Sequence, residues 1–305
     1  MTKYVITGAT GGLGSQVFKY LLRLVPASDI VVSLYNPSGA TEAVKESGVE
    51  VRRGDYGDPA SLDQAFAGAD KLLIVSYPSI AHELRVKHHK NAIDAAKRAR
   101  VKHVYYTSLA FAGDSVAAVM QAHIDTEQYL KANGLTYTIL REGIYSESYP
   151  LYFGFFNAAE GKDEVIVPYS DGGIAWVSRE DLGEGTAKII IQGGFENETR
   201  LLSGSRSVTL KEIAEKISSF LGRNVRLVIG SEDDYVRANV GKHGPRGEEE
   251  FLRKWATTYK ALKRGELDVV DPLLQQVLGR ELKPFEETLK ETLSLQGAVM
   301  DQYAK

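Results

Sequence analysis

The chain has 305 residues, 43% hydrophobic and 25% charged, enough to bury a sizeable core as one large domain or two unequal lobes. Its net charge of -3 and pI near 6.1 give no electrostatic reason to expect nucleic acid or an anionic membrane as a partner. The absence of cysteine excludes disulfides, thiolate nucleophiles and cysteine-based zinc sites, and no run of eighteen apolar residues occurs, so the expectation is a cytoplasmic protein without membrane insertion.

Residues 4–14, Tyr-Val-Ile-Thr-Gly-Ala-Thr-Gly-Gly-Leu-Gly, set a short β-branched run before glycines spaced three apart. Val17, Tyr20, Leu21 and Leu24 then recur at helical spacing, so a strand turns sharply into a helix. Gly8 permits the tight turn, Gly11 removes a Cβ where a pyrophosphate must approach the backbone, and Gly14 lets the helix sit close to the sheet. The exposed N–H groups and the positive end of the helix dipole face the phosphates. Such turns also occur as plain structure, but the strand before and the helix after favour a bound dinucleotide.

Asp29 to Tyr35 reads as a second, buried strand ending in the turn formers Asn36-Pro37-Ser38-Gly39, and Val49 to Arg53 as a shorter third. Asp58 is placed as N-cap and Pro59 at the first position of a helix to Phe66. Lys71 to Val75 is a fourth strand, followed by a helix from His82 to Arg98. His103 to Thr107, a helix from Met120 to Ala132, and Thr136 to Leu140 complete six strands alternating with helices. This predicts an α/β fold, a Rossmann-like doubly wound parallel sheet, with ligands at the carboxyl ends of the strands.

Beyond Arg141 the alternation breaks down. Tyr145 to Phe156 is rich in aromatics, as in a helix closing over a pocket or in a packed junction, and both readings stay open. Ile174 to Val177 and Arg179 to Ile191 read as strand and helix, Thr209 to Glu212 as a capping box, Val225 to Ile229 as a strand, and Glu232 to about Leu295 as mostly helical. The expected division is 1–150 as the dinucleotide-binding domain and 151–305 as a smaller mixed α/β lobe, some of whose segments return to the main sheet.

The end of the second strand ordinarily separates the cofactors: an acid binds the ribose hydroxyls of NAD, an Arg the extra phosphate of NADP. Leu34, Tyr35 and Asn36 give neither signal, although the lack of an acid and the donor on Asn36 favour NADP(H) over NAD(H). Arg52 and Lys45 are further candidates, with a solvated surface as the plainer reading. The Tyr and Lys four residues apart that protonate a carbonyl in many reductases are missing: Val119 stands at the Tyr position and His123 at the Lys position. His82, Glu83, His88 and His89 share a helix, but adjacent histidines point apart, so no metal is expected. Ser108 lacks the surroundings of a hydrolase nucleophile, and the cations from Arg85 to Arg100 read as a solvated face.

The TGATGGLG opening, the GDYGDPASL turn, KLLIVS, Tyr-Thr-Ser-Leu at 106–109, HIDTEQYL from His123 and LREGIYSESY from Leu140 together resemble the NmrA-like branch of atypical short-chain dehydrogenases. Within it they look most like the NAD(P)H:quinone oxidoreductases. The likeness is dense to about Tyr149 and looser from Ala175 to Leu221. It implies that Gly8, Thr10, Gly11, Gly12, Leu13 and Gly14 hold the pyrophosphate, with Tyr35 and Asn36 at the adenosine ribose. It further implies that Asp55 and Tyr56 flank the adenine, Ser76, Tyr77 and Pro78 line the ribose, and Thr107, Ser108, His123 and Tyr145 surround the nicotinamide. Quinone reductases of this branch carry an Arg where this chain has Tyr35, which puts their NADPH preference in question here.

The resemblance implies hydride transfer to a quinone or similar planar acceptor, with His123 orienting the ribose or supplying a proton, Tyr145 or Tyr149 stacking on the acceptor, and Ser108 beside them. The alternatives are a silent NAD(P)-sensing regulator acting through a protein partner, and a reductase of secondary metabolism with its own substrate. A homodimer is compatible with either.

Overall fold

The computed structural model describes residues 1–295; the last ten residues of the lobe expected at 151–305 lie outside the described residues. The first half is built from β1 (Tyr4–Thr7), α1 (Gly12–Leu24), β2 (Ile30–Leu34), α2 (Glu42–Glu46), β3 (Glu50–Arg53), α3 (Pro59–Phe66), β4 (Lys71–Ile74), α4 (His82–Arg98), β5 (His103–Leu109), α5 (Ala118–Ala132) and β6 (Tyr137–Glu142). The second half contributes α6 (Tyr149–Tyr152), β7 (Glu164–Pro168), α7 (Arg179–Gln192), β8 (Glu198–Leu202), α8 (Leu210–Leu221), β9 (Arg226–Gly230), α9 (Glu232–Asn239), α10 (Glu249–Lys263), α11 (Leu273–Leu278) and α12 (Phe285–Ser294).

Seven strands form one parallel sheet in the order β3-β2-β1-β4-β5-β6-β8, and β7 pairs with β9 in a separate parallel sheet. The fold is the Rossmann-like α/β architecture expected, and the order reverses between β1 and β4, where such sheets open a ligand crevice. Side chains alternate across β1 and β2, so Ile6 and Val32 enter the core under α1 and α7 while Val5 and Val31 enter the core under α3, α4 and α5. A third core gathers Phe153, Trp176, Tyr235, Trp255 and Tyr259 from the second half.

The N-terminal elements follow their local signals closely. Asp58 caps α3 by accepting from the Ser61 N–H, with Pro59 in the first turn. Thr209 and Glu212 form the anticipated capping box of α8. Two strands carried too little signal: β7 and β8 each begin at a glutamate, and β8 is half solvated at the sheet edge. Residues 174–177, read as a strand, instead make two isolated bridges, Ile174 with Val208 and Tyr145 with Val177, because Trp176 turns into the aromatic core. Of the two readings of Tyr145 to Phe156, packing prevails: Tyr149, Tyr152, Phe153, Phe155 and Phe156 are all buried.

Candidate active site

The turn after β1 has the geometry of a phosphate cradle. Gly8 adopts a φ of +65°, and the Gly11 N–H closes the turn on the Gly8 carbonyl at 2.9 Å. A Cβ on Gly14 would stand 2.1 Å from that carbonyl oxygen, whereas one on Gly11 would meet it at 3.3 Å. Thr10, Gly11 and Gly12 are exposed, and no side chain caps the first turn of α1, so its N–H groups stay available to an anion. Leu13 is buried in the core and offers the site only its backbone. Arg179, at the start of α7, lies against this loop: its Nε would be 3.0 Å from a Cβ on Gly12, and its guanidinium sits 4.9 Å above the Tyr145 ring. The sequence reading missed Arg179, which is 167 positions from Gly12 and carries no motif.

Along the outer rim, Tyr35 is 73% exposed, and the Asn36 side chain accepts from the Ser38 N–H and hydroxyl. Arg52 binds Glu50 and the carbonyls of Ala65 and Ala67, and Lys45 binds Glu42, so neither cation is free for a ligand. Asp55 accepts from the Gly57 N–H at 2.7 Å. The Tyr56 hydroxyl ties β1 to β4, lying 2.7 Å from Thr7 Oγ1 and donating to the Val75 carbonyl at 2.8 Å. Tyr77 presents its ring edge-on to His88 with centroids 4.4 Å apart, and Pro78 is exposed.

At the far end of the crevice a chain of polar contacts joins β4, β5, α4 and α5. The Ser76 N–H donates to Thr107 Oγ1 at 3.0 Å, and Arg85 donates to Ser76 Oγ at 2.7 Å and to His123 Nε2 at 2.9 Å. A guanidinium only donates, so Nε2 of His123 is unprotonated and its proton sits on Nδ1, which faces the Tyr106 hydroxyl at 2.9 Å. His89 is fixed in the same tautomer: Nε2 accepts from the Tyr77 N–H at 2.9 Å and Nδ1 donates to Thr126 at 2.8 Å. Burial first, then Arg85, His89 and Arg141, hold His123 well below its ordinary pKa; burial and Arg85 pull His89 down to about 3. Both rings are neutral and buried.

Ser108 is turned away from this network. It shares the face of Tyr106 on β5, and its hydroxyl donates to Glu127 Oε1 at 2.6 Å, while Arg141 grips the same buried carboxylate at 2.9 and 2.7 Å. Its proton is therefore committed to Glu127 on α5. Tyr149 is also withdrawn: it is buried and meets Phe285 edge-on, so it cannot stack on a ligand. Tyr145 is half-buried, with Arg179 over its ring and its hydroxyl close enough to act on the charge of Arg85. Arg85 is an exception to the solvated-face reading of α4: Lys87, Lys90 and Lys97 are exposed as expected, but the inward stripe of that helix runs through Arg85, His89, Ala92, Ile93 and Ala96.

The parallel sheet, the glycine cradle at the point where the strand order reverses, and the polar chain beyond it define a dinucleotide-dependent oxidoreductase. The chain belongs to the NmrA-like family, whose model matches residues 2–289. It is 37% identical over 298 residues to the NmrA-like family domain-containing oxidoreductase flvB of Aspergillus flavus, covering 95% of each chain. It is 38% identical over 253 residues to quinone oxidoreductase 2 of Escherichia coli, covering 81% of this chain and 84% of that one. The solved structure of that NADPH-dependent enzyme with NADPH matches at a TM-score of 0.85 and 33% identity, over 94% of this chain and 99% of the other. Triphenylmethane reductase of Citrobacter sp., solved with NADP(H), matches at 0.83 and 32% identity, over 95% and 100%. The protein is thus an NAD(P)H-dependent oxidoreductase of the NmrA-like family.

Proposed function

We propose that this enzyme reduces a quinone or a similarly flat, electron-poor acceptor. One observation carries this reading: no protein group at the expected position has a proton to give. Val119 stands where a proton-donating Tyr would be, and both ring nitrogens of His123 are engaged with Arg85 and Tyr106. A ketone reductase needs that donor, because an alkoxide forms as hydride arrives. A quinone does not, since its reduced anion is aromatic and takes its remaining proton from water. The reductions named for the E. coli and Citrobacter relatives, of a quinone and of a triphenylmethane dye, support a planar acceptor here too.

The cradle fits the pyrophosphate of NAD(P)H, because Gly11 carries no Cβ on the exposed turn, Gly14 lets α1 start against the Gly8 carbonyl, and the first N–H groups of α1 have no side-chain cap. When bound, the cofactor supplies the hydride. The chain's own part is to hold it: Gly8 to Gly14 at the phosphates, Tyr35, Asn36, Asp55 and Tyr56 along the adenosine, Ser76, Tyr77 and Pro78 at the ribose, and Thr107, His123 and Tyr145 at the nicotinamide. His123 is assigned a positioning role in place of proton supply, and NADP(H) is preferred over NAD(H). The test follows NADPH and NADH oxidation with 1,4-benzoquinone and a set of larger quinones. Failure to turn over any of them, by protein that calorimetry shows to bind the cofactor, would sink the reading.

A further inference from the structure

Arg85 is a half-buried cation in neutral company. Its Nε and Nη2 donate to Ser76 Oγ at 3.2 and 2.7 Å, and Nη2 also donates to His123 Nε2 at 2.9 Å. Nη1 makes no hydrogen bond, and the guanidinium makes no ion pair with any carboxylate, among the described residues. Other half-buried arginines of this chain are matched: Arg141 to Glu127, and Arg52 to Glu50. Taking a cation even partly out of water without a counter-charge is unfavourable, a cost that folding alone gives no reason to keep.

The groups around Arg85 are those of the nicotinamide end. Ser76 follows β4, His123 takes the place of the Lys that orients the ribose, and the ionisable groups that act on the charge of Arg85 are the phenols of Tyr106 and Tyr145, neither of them a carboxylate. Ser76 and His123 accept from Nε and Nη2 and lock the plane of the guanidinium, which leaves Nη1 as a fixed pair of donors with no acceptor among the described residues. A preoriented, unmatched positive charge at this position suits negative charge that develops during the reaction.

We infer that Arg85 is a catalytic residue that binds the oxyanion of the reduced acceptor through Nη1. This rests on the reductase reading. A quinone that takes up a hydride gains one proton and two electrons, the dihydronicotinamide C–H bond breaks, and the cofactor leaves as NAD(P)+. The quinone becomes a hydroquinone monoanion, with one oxygen negatively charged until it is protonated by water. Arg85 pairs with that oxygen as the charge forms, which also selects acceptors able to delocalise an anion over a ring.

The experiment compares wild type with Arg85→Gln and Arg85→Lys. Turnover of 1,4-benzoquinone is measured beside calorimetric titration of NADPH, and 4-nitrophenol is titrated onto the protein with NADP+ above and below the ligand's own pKa. Arg85→Gln should lower kcat/KM by about 10²-fold, the usual scale for one oxyanion donor, and leave the NADPH Kd within about twofold. Wild type should bind the phenolate at least about tenfold more tightly than the phenol, and Arg85→Gln should lose that preference while Arg85→Lys keeps part of it. Loss of NADPH affinity with unchanged phenolate preference would assign Arg85 to the cofactor and overturn the inference. Equal phenol and phenolate binding by wild type would overturn it as well. A wild type that binds phenolate through Arg85 but reduces no quinone would sink the reductase reading and leave the anion site standing.

Discussion

Arg85 Nη2 lies 2.9 Å from His123 Nε2, and this contact fixes both the tautomer and the charge of the histidine. An imidazolium there would place a second proton against a guanidinium, so protonation is opposed by charge as well as by burial. The wild-type pH profile of kcat/KM should therefore show no limb near the ordinary histidine value of about 6.5. His123→Ala removes the acceptor that holds Arg85 and should lower kcat/KM about tenfold or more by misplacing it. His123→Gln keeps an acceptor and should recover part of the loss. A limb near neutrality that disappears in His123→Gln would show the ring to be a proton donor after all.

The glycines of the cradle differ in what they exclude. Ala at 14 would set its Cβ 2.1 Å from the Gly8 carbonyl, a backbone atom that cannot yield without opening the turn. Overpacking of this kind costs about 1–3 kcal/mol or more, so Gly14→Ala should lower the denaturation midpoint as well as abolish cofactor binding. Gly11 has a φ of -87°, which suits Ala, and only a 3.3 Å approach to the same oxygen. Gly11→Ala should stay within about 1 kcal/mol of wild type, as surface substitutions do, and yet bind NADPH more weakly by calorimetry. Equal losses of stability in the two variants would show that Gly11 is needed for the turn and not for the ligand.

Ser108 and Arg141 meet on one buried carboxylate. Ser108→Ala removes a hydrogen bond to a charged group, about 1.5–3 kcal/mol, while Arg141 still satisfies Glu127. Arg141→Met leaves that carboxylate only Ser108 and, at 3.7 Å, Lys131, and should cost more than Ser108→Ala, up to about 3–5 kcal/mol. Folded Ser108→Ala should keep near wild-type turnover at saturating cofactor. A hundredfold drop in kcat without loss of stability would return Ser108 to the catalytic centre.

Glu142 ends β6 with one oxygen accepting from Thr186 at 2.9 Å and the other without a hydrogen bond in the described structure. Burial raises its pKa to about 8. The unfolded chain gives up this proton near the ordinary value of 4.5 while the folded chain keeps it, so the contribution to stability is full below 4.5 and is lost as the pH rises toward about 8. Urea unfolding of Glu142→Gln should lack this loss, gaining on wild type between pH 5 and pH 8 with a ceiling of about 5 kcal/mol. Parallel pH dependence in the two proteins would show that the carboxyl ionises freely in the folded state.

The sequence showed most clearly what is local. The turn from β1 into α1, the Asp58 and Thr209 caps and the whole of α4 depend on residues a few positions apart, and their boundaries match or nearly match those expected. The site was legible where one turn supplies all its parts and obscure where distant elements meet. Arg179 reaches Gly12 from α7, and the hydroxyl of Ser108 is claimed by a glutamate on α5. Arg85 was misread although its signal was there: at i and i+4 with His89 it lies on the stripe that Ala92, Ile93 and Ala96 mark as inward, and its charge masked its position. The edge strand β8 was missed because its outer half alternates weakly and only the register with β6 makes it a strand.

Tyr35 stands at the end of β2, 73% exposed, where the choice between the two dinucleotides is ordinarily made. A cation on the neighbouring strand, Arg53, is paired with Leu34 in register, but Asp58 holds it at 2.7 Å and Asp55 lies 3.7 Å away. A guanidinium so matched adds little to the affinity for a 2′-phosphate, so the wild-type preference for NADPH over NADH should be small, within about tenfold in Kd. Tyr35→Arg places an unmatched cation at the same point and should tighten NADPH by about tenfold more, with NADH unchanged and the gain fading as salt is raised. Equal tightening of both cofactors would mean that position 35 touches the adenine, and that the discriminating contact lies elsewhere on the rim.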